Sequence, residues 1–119
     1  RKEIDFNLVR DVVKERSGGK LSLDTTVEDI VKKVSEELRI SEKEIVGKSR
    51  KMEIALARQV SMYLTRNIIG TSLNNIGIYF GGRDHTTVMH AINTITTKCE
   101  NNDKIKNMVS NIKQELGDF

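Results

Sequence analysis

Proline and tryptophan are absent from the 119 residues, aromatic residues make up only 4%, and there is a single cysteine. Each shortage excludes something. Without proline no backbone donor is lost, and the many spaced aliphatic residues favour an all-helical domain. One cysteine cannot close an internal disulfide, so stability has to come from packed aliphatic side chains, and a reducing compartment suits the chain. No apolar run approaches the ~18–20 residues of a membrane span. The N-terminus is charged from Arg1 and lacks a signal-peptide pattern. A start on arginine rather than methionine points to a segment of a longer chain. The length suffices for one modest domain with a real core.

Charge of one sign is also scarce overall, with a net value of +3, but its distribution is uneven. Residues 1–45 hold ten Lys/Arg and eleven Asp/Glu, residues 46–100 hold seven and three, and residues 101–119 hold three of each. The positive excess therefore lies in the middle of the chain, where it would attract a polyanion more strongly than the average suggests. Equally, such an excess can be a solvated surface.

Helical spacing organises the rest. KEIDFNLVRDVVKERSGG predicts a first helix with Ile4, Leu8, Val9, Val12 and Val13 on one side, stopped by Gly18-Gly19. LSLDTT follows as a connector. Thr25 with Glu28 has capping-box spacing, opening a helix with the stripe Val27, Ile30, Val31, Val34 and Leu38. Ser41 with Glu44 makes a second box before a very short helix ending near Gly47. KSRK at 48–51 is a basic loop. A longer helix is expected from Met52 to Ile69, with Leu56, Val60, Tyr63, Leu64 and Ile68 as core and Gly70 as its stop. Ser72 can cap the next helix, with Leu73, Ile76 and Phe80 inward, and Gly81-Gly82 breaks it. Asp84 can cap a helix from about His85 whose stripe is Val88, Ala91, Ile92, Ile95 and Cys99. Asp103 can cap the last, with Ile105, Met108, Val109, Ile112 and Leu116 inward.

The densest chemistry is GGRDHTTVMH at 81–90. A phosphate-binding P-loop needs G-x-x-x-x-G-K-[ST] between a strand and a helix, which neither GGRDHTT nor SGGKLS at 17–22 provides. His85, His90 and Cys99 do not converge as zinc ligands, since an i, i+5 pair lies on different sides of a helix and Cys99 falls on the apolar stripe. Asp84-His85-Thr86 is no triad, because adjacent helical residues do not face one another. A short helix, a glycine turn and a second helix do make a helix-turn-helix, whose second helix meets base edges with its N-terminal residues. On that helix Thr86, His90, Asn93 and Thr97 point away from the core, flanked by Thr87, Met89 and Thr94. The face is polar and nearly uncharged at its leading edge, where a solvated helix more typically carries Lys and Glu. Threonine can hydrogen-bond a base edge or lay its methyl on thymine, and histidine offers a donor and an acceptor. His90, beyond the first turn, is better read as a structural hydrogen-bonding group against a neighbouring helix.

GGRDHTTVMHA with the following INTI resembles the signature of the C-terminal domain of the DnaA family, the bacterial chromosomal replication initiators. ARQVSMYLTR at 57–66 is similar to that family's central helix, SLNNIGIYFGGRDHTT to its helix-turn-helix, and EIVGKSRK at 44–51 to the approach to its basic loop. IDFNLVRDVV at 4–13 resembles the last helix of a preceding AAA+ lid and a linker helix. The likeness covers nearly the whole chain, and its GGRDHTT core is highly specific.

The resemblance implies an all-α fold of about six helices with a helix-turn-helix in a Trp-repressor-like arrangement, residues 1–19 being lid or linker and 20–119 the DNA-binding domain. It implies binding to short asymmetric DnaA boxes as double-stranded DNA at the replication origin. Arg50 corresponds to the arginine entering the minor groove; Asp84, His85, Thr86 and Thr87 to the major-groove readers; Lys48, Lys51, Arg58 and Arg83 are the expected phosphate contacts. Asp84 can cap the helix and accept from cytosine at once. The implied domain is monomeric, in the cytoplasm at the nucleoid, and no enzyme by itself. It carries no cofactor, with ATP and Mg in the AAA+ portion outside the chain. Acidic phospholipid is a further implied partner of the full protein, although the polar face of the first helix is not clearly cationic. Met52, Leu56 and Ala57 depart from the family, which often has basic residues at the first two positions and proline at the third, so phosphate contacts at 52 and 56 are in doubt. A Trp-repressor-type regulator, which normally needs a dimer and two half-sites, and a helical protein-interaction module are the alternatives.

Overall fold

The computed structural model describes residues 26–117. The expected first helix, the boundary at 19/20 and Thr25 lie outside them. Among the described residues the chain forms six α-helices and no strand: α1 Val27–Leu38, α2 Glu42–Val46, α3 Met52–Leu64, α4 Leu73–Tyr79, α5 His85–Asn101 and α6 Asp103–Glu115, with a π-helical turn at Thr65–Ile69.

Short polar side chains start most of these helices. Ser41, Ser72 and Asp84 accept from the backbone N–H three residues on, at Glu44, Asn75 and Thr87, satisfying donors that the first turn leaves free. At α1 the capping box is Thr26 with Asp29, each accepting the other's backbone N–H at 3.2 and 3.1 Å, rather than the expected Thr25 with Glu28. The cap of α6 likewise moves by one. Asn102 has the extended backbone a cap requires, and its Oδ1 accepts from Lys104 and Ile105; Asp103 is already helical.

Helix α3 lies at the centre. Ile54, Ala57, Val60, Met62 and Leu64 are buried, and α5 packs on it more extensively than any other pair of elements. Around it sit Ile30, Val31 and Val34 of α1, Ile45 of α2, Ile76 and Phe80 at the α4 end, Val88, Ala91 and Ile95 of α5, and Val109 and Ile112 of α6, in one continuous core. The stripes expected for α1, α4, α5 and α6 are the ones that face inward. On α3 the expected residues also pack inward, Val60 and Leu64 buried and Leu56, Tyr63 and Ile68 partly so, but Ile54, Ala57 and Met62, which were not expected, are buried as well. A central helix is covered on most sides, so it has no single apolar stripe to read.

The segment expected to be one helix to Ile69 widens into a π turn at Thr65. Ser61 Oγ donates to the Ala57 carbonyl at 2.8 Å and Thr65 Oγ1 to the Ser61 carbonyl at 2.7 Å, both buried. Such back-bonding competes with the backbone ladder. Gly70, at φ 77°, ends the turn with its N–H on the Thr65 carbonyl.

Candidate nucleic-acid interface

The turn between α4 and α5 depends on a glycine inside a helix. The backbone N–H groups of Gly82 and Arg83 both donate to the Gly77 carbonyl at 2.9 Å. The Arg83 carbonyl comes so close to Gly77 that an added Cβ would lie 2.0 Å from it. No side chain fits there, so Gly77 lets the chain fold back tightly enough to launch α5 across α4. Gly81 and Gly82, at φ 89° and 78°, complete the reversal in the left-handed region that favours glycine. Phe80, fully buried and edge-on to Tyr79 at 5.2 Å, anchors the chain just before it.

Helix α5 then begins in solvent. Asp84, His85, Thr86 and Thr87 are all exposed on its first turn, as are His90, Asn93 and Thr97 further along. Asp84 Oδ1 accepts the Thr87 backbone N–H at 2.9 Å, and that bond holds its carboxyl below the ordinary carboxylate range. His90 is not the packed structural group expected. Its side chain is exposed and, among the described residues, has no hydrogen-bond partner; only its backbone carbonyl accepts, from Thr94 Oγ1.

Beside this turn lies the basic loop at 48–51. Lys48, Arg50 and Lys51 are exposed. Lys48 and Arg50 line an open cleft of about 350 Å³ together with Arg58, Gly81, Gly82 and Arg83. Four cations from the loop, α3 and the helix-turn-helix thus meet where two glycines leave the backbone bare, which suits an anion. Lys51 precedes α3, its N–H on Ser49 Oγ at 3.3 Å, and does not line the cleft. Next to it, Ala55, Arg58, Gln59, Met62, Arg83, Thr87 and Ala91 line a smaller groove between α3 and α5.

Arg58 and Arg83 are placed differently from free phosphate ligands. Arg58 is 6% exposed. Its Nε donates to the Ile45 carbonyl at 2.8 Å, Nη1 to Ser49 at 2.9 Å and Nη2 to Glu44 at 3.0 Å. Three of its five N–H donors are therefore spent inside the protein. Burial, and then the neighbouring Arg83, lower its pKa. Arg83 is half-buried; Nη2 donates to the Gly47 carbonyl at 2.9 Å and Nη1 to the Phe80 carbonyl.

No group of three potential metal ligands occurs among the described residues. Cys99 is half-buried with its thiol pKa raised by burial, as expected of a packed, unreactive side chain. No helix among the described residues is long and apolar enough to cross a membrane.

The family model described as the bacterial DnaA protein helix-turn-helix matches residues 27–95, from the start of α1 into α5. The chain belongs to the bacterial DnaA helix-turn-helix family. Among its relatives is the chromosomal replication initiator protein DnaA of Chlorobaculum tepidum, 36% identical over 116 residues, which are 96% of this chain and 23% of that protein. The same-named protein of Bifidobacterium animalis subsp. lactis is 46% identical over 88 residues, 74% of this chain and 15% of the relative. That of Geotalea daltonii is 36% identical over 114 residues, 96% and 25%. The chain thus spans a quarter or less of the length of these DnaA proteins. The family is one of DNA-binding helix-turn-helix domains, and its match covers Lys48, Arg50, Lys51, Arg58, Arg83, Asp84, His85, Thr86 and Thr87.

Proposed function

We propose that this chain is the origin-binding module of a replication initiator and binds short asymmetric DnaA boxes in double-stranded DNA. One observation carries the reading: a cationic cleft opens directly beside an exposed, nearly neutral first turn of α5. The first supplies attraction to phosphate, which is blind to sequence; the second supplies hydroxyls, an imidazole and a carboxylate that can address base edges. In this reading Arg50 enters the minor groove, Asp84, His85, Thr86 and Thr87 read the adjacent major groove, and Lys48 and Lys51 hold phosphates. Residues 20–119 form the binding domain and 1–19 its connection to the rest of the protein.

The test separates reading from attraction. Thr86→Ala and Thr87→Ala change no charge. Each should weaken binding to a DnaA box by about 1–3 kcal/mol and leave a scrambled duplex nearly unaffected. Lys51→Ala should weaken both duplexes to a similar degree. Titrations at one fixed salt concentration, after checking that each variant is folded, decide it. Equal proportional losses on both duplexes for the threonine variants would leave α5 as a phosphate-binding surface with no sequence reading.

A further inference from the structure

Helix α2 has five residues, too few to be stable alone, and its last carbonyls lack the donors a longer helix would supply, that of Glu44 taking only the Gly47 N–H at 3.2 Å from the backbone. Two guanidinium groups add donors there and just beyond, at the loop entry. Arg58 takes the carbonyls of Glu44, Ile45 and Ser49, and Arg83 takes that of Gly47. These four oxygens bracket the end of α2 and the entry to the basic loop. The positive heads also sit at the negative end of the helix. Arg83 is tied at its other nitrogen to the Phe80 carbonyl, on the turn that launches α5. One side chain thus joins residues 36 apart in sequence, with the loop entry at one end and the helix-turn-helix at the other.

We propose that Arg58 and Arg83 are positioning residues, which set the basic loop at a fixed distance from α5 so that the two engage one duplex as a single unit. The inference rests on the reading above that loop and helix address the same DNA. A lysine keeps the charge but has one nitrogen at its tip, and cannot serve three carbonyls in a fork. Phosphate binding and positioning therefore predict different results for the same conservative change.

Arg58→Lys and Arg83→Lys would be made alone and with Arg50→Ala. Binding to box and scrambled duplexes is measured across salt, and trypsin cleavage at Lys48, Arg50 and Lys51 is timed in the free chain. Each lysine variant should bind scrambled duplex within about twofold of wild type with an unchanged salt slope. Each should bind the box about tenfold more weakly. In the Arg50→Ala background that loss should shrink to about twofold or less, because no minor-groove arginine remains to be misplaced. The loop should be cut faster. Unchanged box binding, equal losses on both duplexes, or a loss fully additive with Arg50→Ala would overturn the proposal. If Arg58→Lys fails to fold, Arg83→Lys, which changes a half-buried residue with two such bonds, gives the same readouts. If wild type does not distinguish box from scrambled duplex, the box-binding reading falls. The cleavage rates then decide the clamp alone: faster cutting keeps it, an unchanged rate removes it.

Discussion

Asp84 combines two demands on one carboxylate. It caps α5 through the Thr87 N–H, and it stands among the side chains proposed to meet bases. Its folded pKa is lowered from an ordinary value of 3.8. A lowered pKa means that the charged carboxylate favours the folded state. The contribution is complete above the unfolded pKa and disappears as pH falls through the folded one. Asp84→Asn keeps an acceptor oxygen but not the charge that the helix N-terminus favours. Thermal melts should therefore find Asp84→Asn less stable than wild type near pH 7, with the gap closing below about pH 4. A gap that persists in acid would mean that something other than the ionised cap is lost. Arg39 shows a different single-residue constraint. It ends α1 at φ 59°, a conformation usually left to glycine. No glycine marks that helix end in the sequence.

At the level of elements, the α4–α5 turn is the most exacting part of the fold. Gly77→Ala gains at most about 1 kcal/mol of helix propensity. Against that, the new methyl would fall on the Arg83 carbonyl and drive the turn off α4. Overpacking of this kind costs about 1–3 kcal/mol or more. The expected result is net destabilisation by about 2 kcal/mol in urea denaturation, with box binding weakened even where the chain is folded. A neutral or stabilising outcome would show that the turn can shift freely. Much of this architecture was legible beforehand. The hydroxyl and carboxylate caps at Ser41, Ser72 and Asp84, the stops at Gly47, Gly70 and Gly81, and the stripes of the outer helices all follow from local spacing. What escaped was non-local. Gly77 sits in a helical pattern, and only the returning chain at Arg83 reveals why it must be small. Arg58 and Arg83 look like surface cations until the carbonyls they hold, up to 14 and 36 residues away, come into view. The caps misplaced by one residue, Thr26 and Asn102, stand beside neighbours of equal capping ability, so composition alone could not set the frame. The π turn was hidden because the apolar pattern runs through it uninterrupted.

Across the whole molecule, charge and shape divide the work. The net charge is small, yet the loop, α3 and the α5 turn gather Lys48, Arg50, Arg58 and Arg83 about one cleft. Affinity for any duplex should therefore fall steeply as salt rises, with a log–log slope of about −0.9 per phosphate neutralised. Lys48→Ala should reduce that slope by about one such unit, whereas a flat salt response in wild type would end the DNA-binding reading. The carbonyls gripped by Arg58 and Arg83 have a thermodynamic consequence as well. A loop that became ordered only on meeting DNA would give up about 1–2 kcal/mol of backbone entropy per residue at that moment. Over the four residues 48–51 that is roughly 4–8 kcal/mol, or about three to six orders of magnitude in the binding constant. Here the entry at Gly47 and the Ser49 carbonyl are held in the free protein, so part of that freedom is surrendered on folding, and association should lie nearer to the docking of a rigid body, its entropy dominated by released counterions and water rather than by a chain settling into a groove.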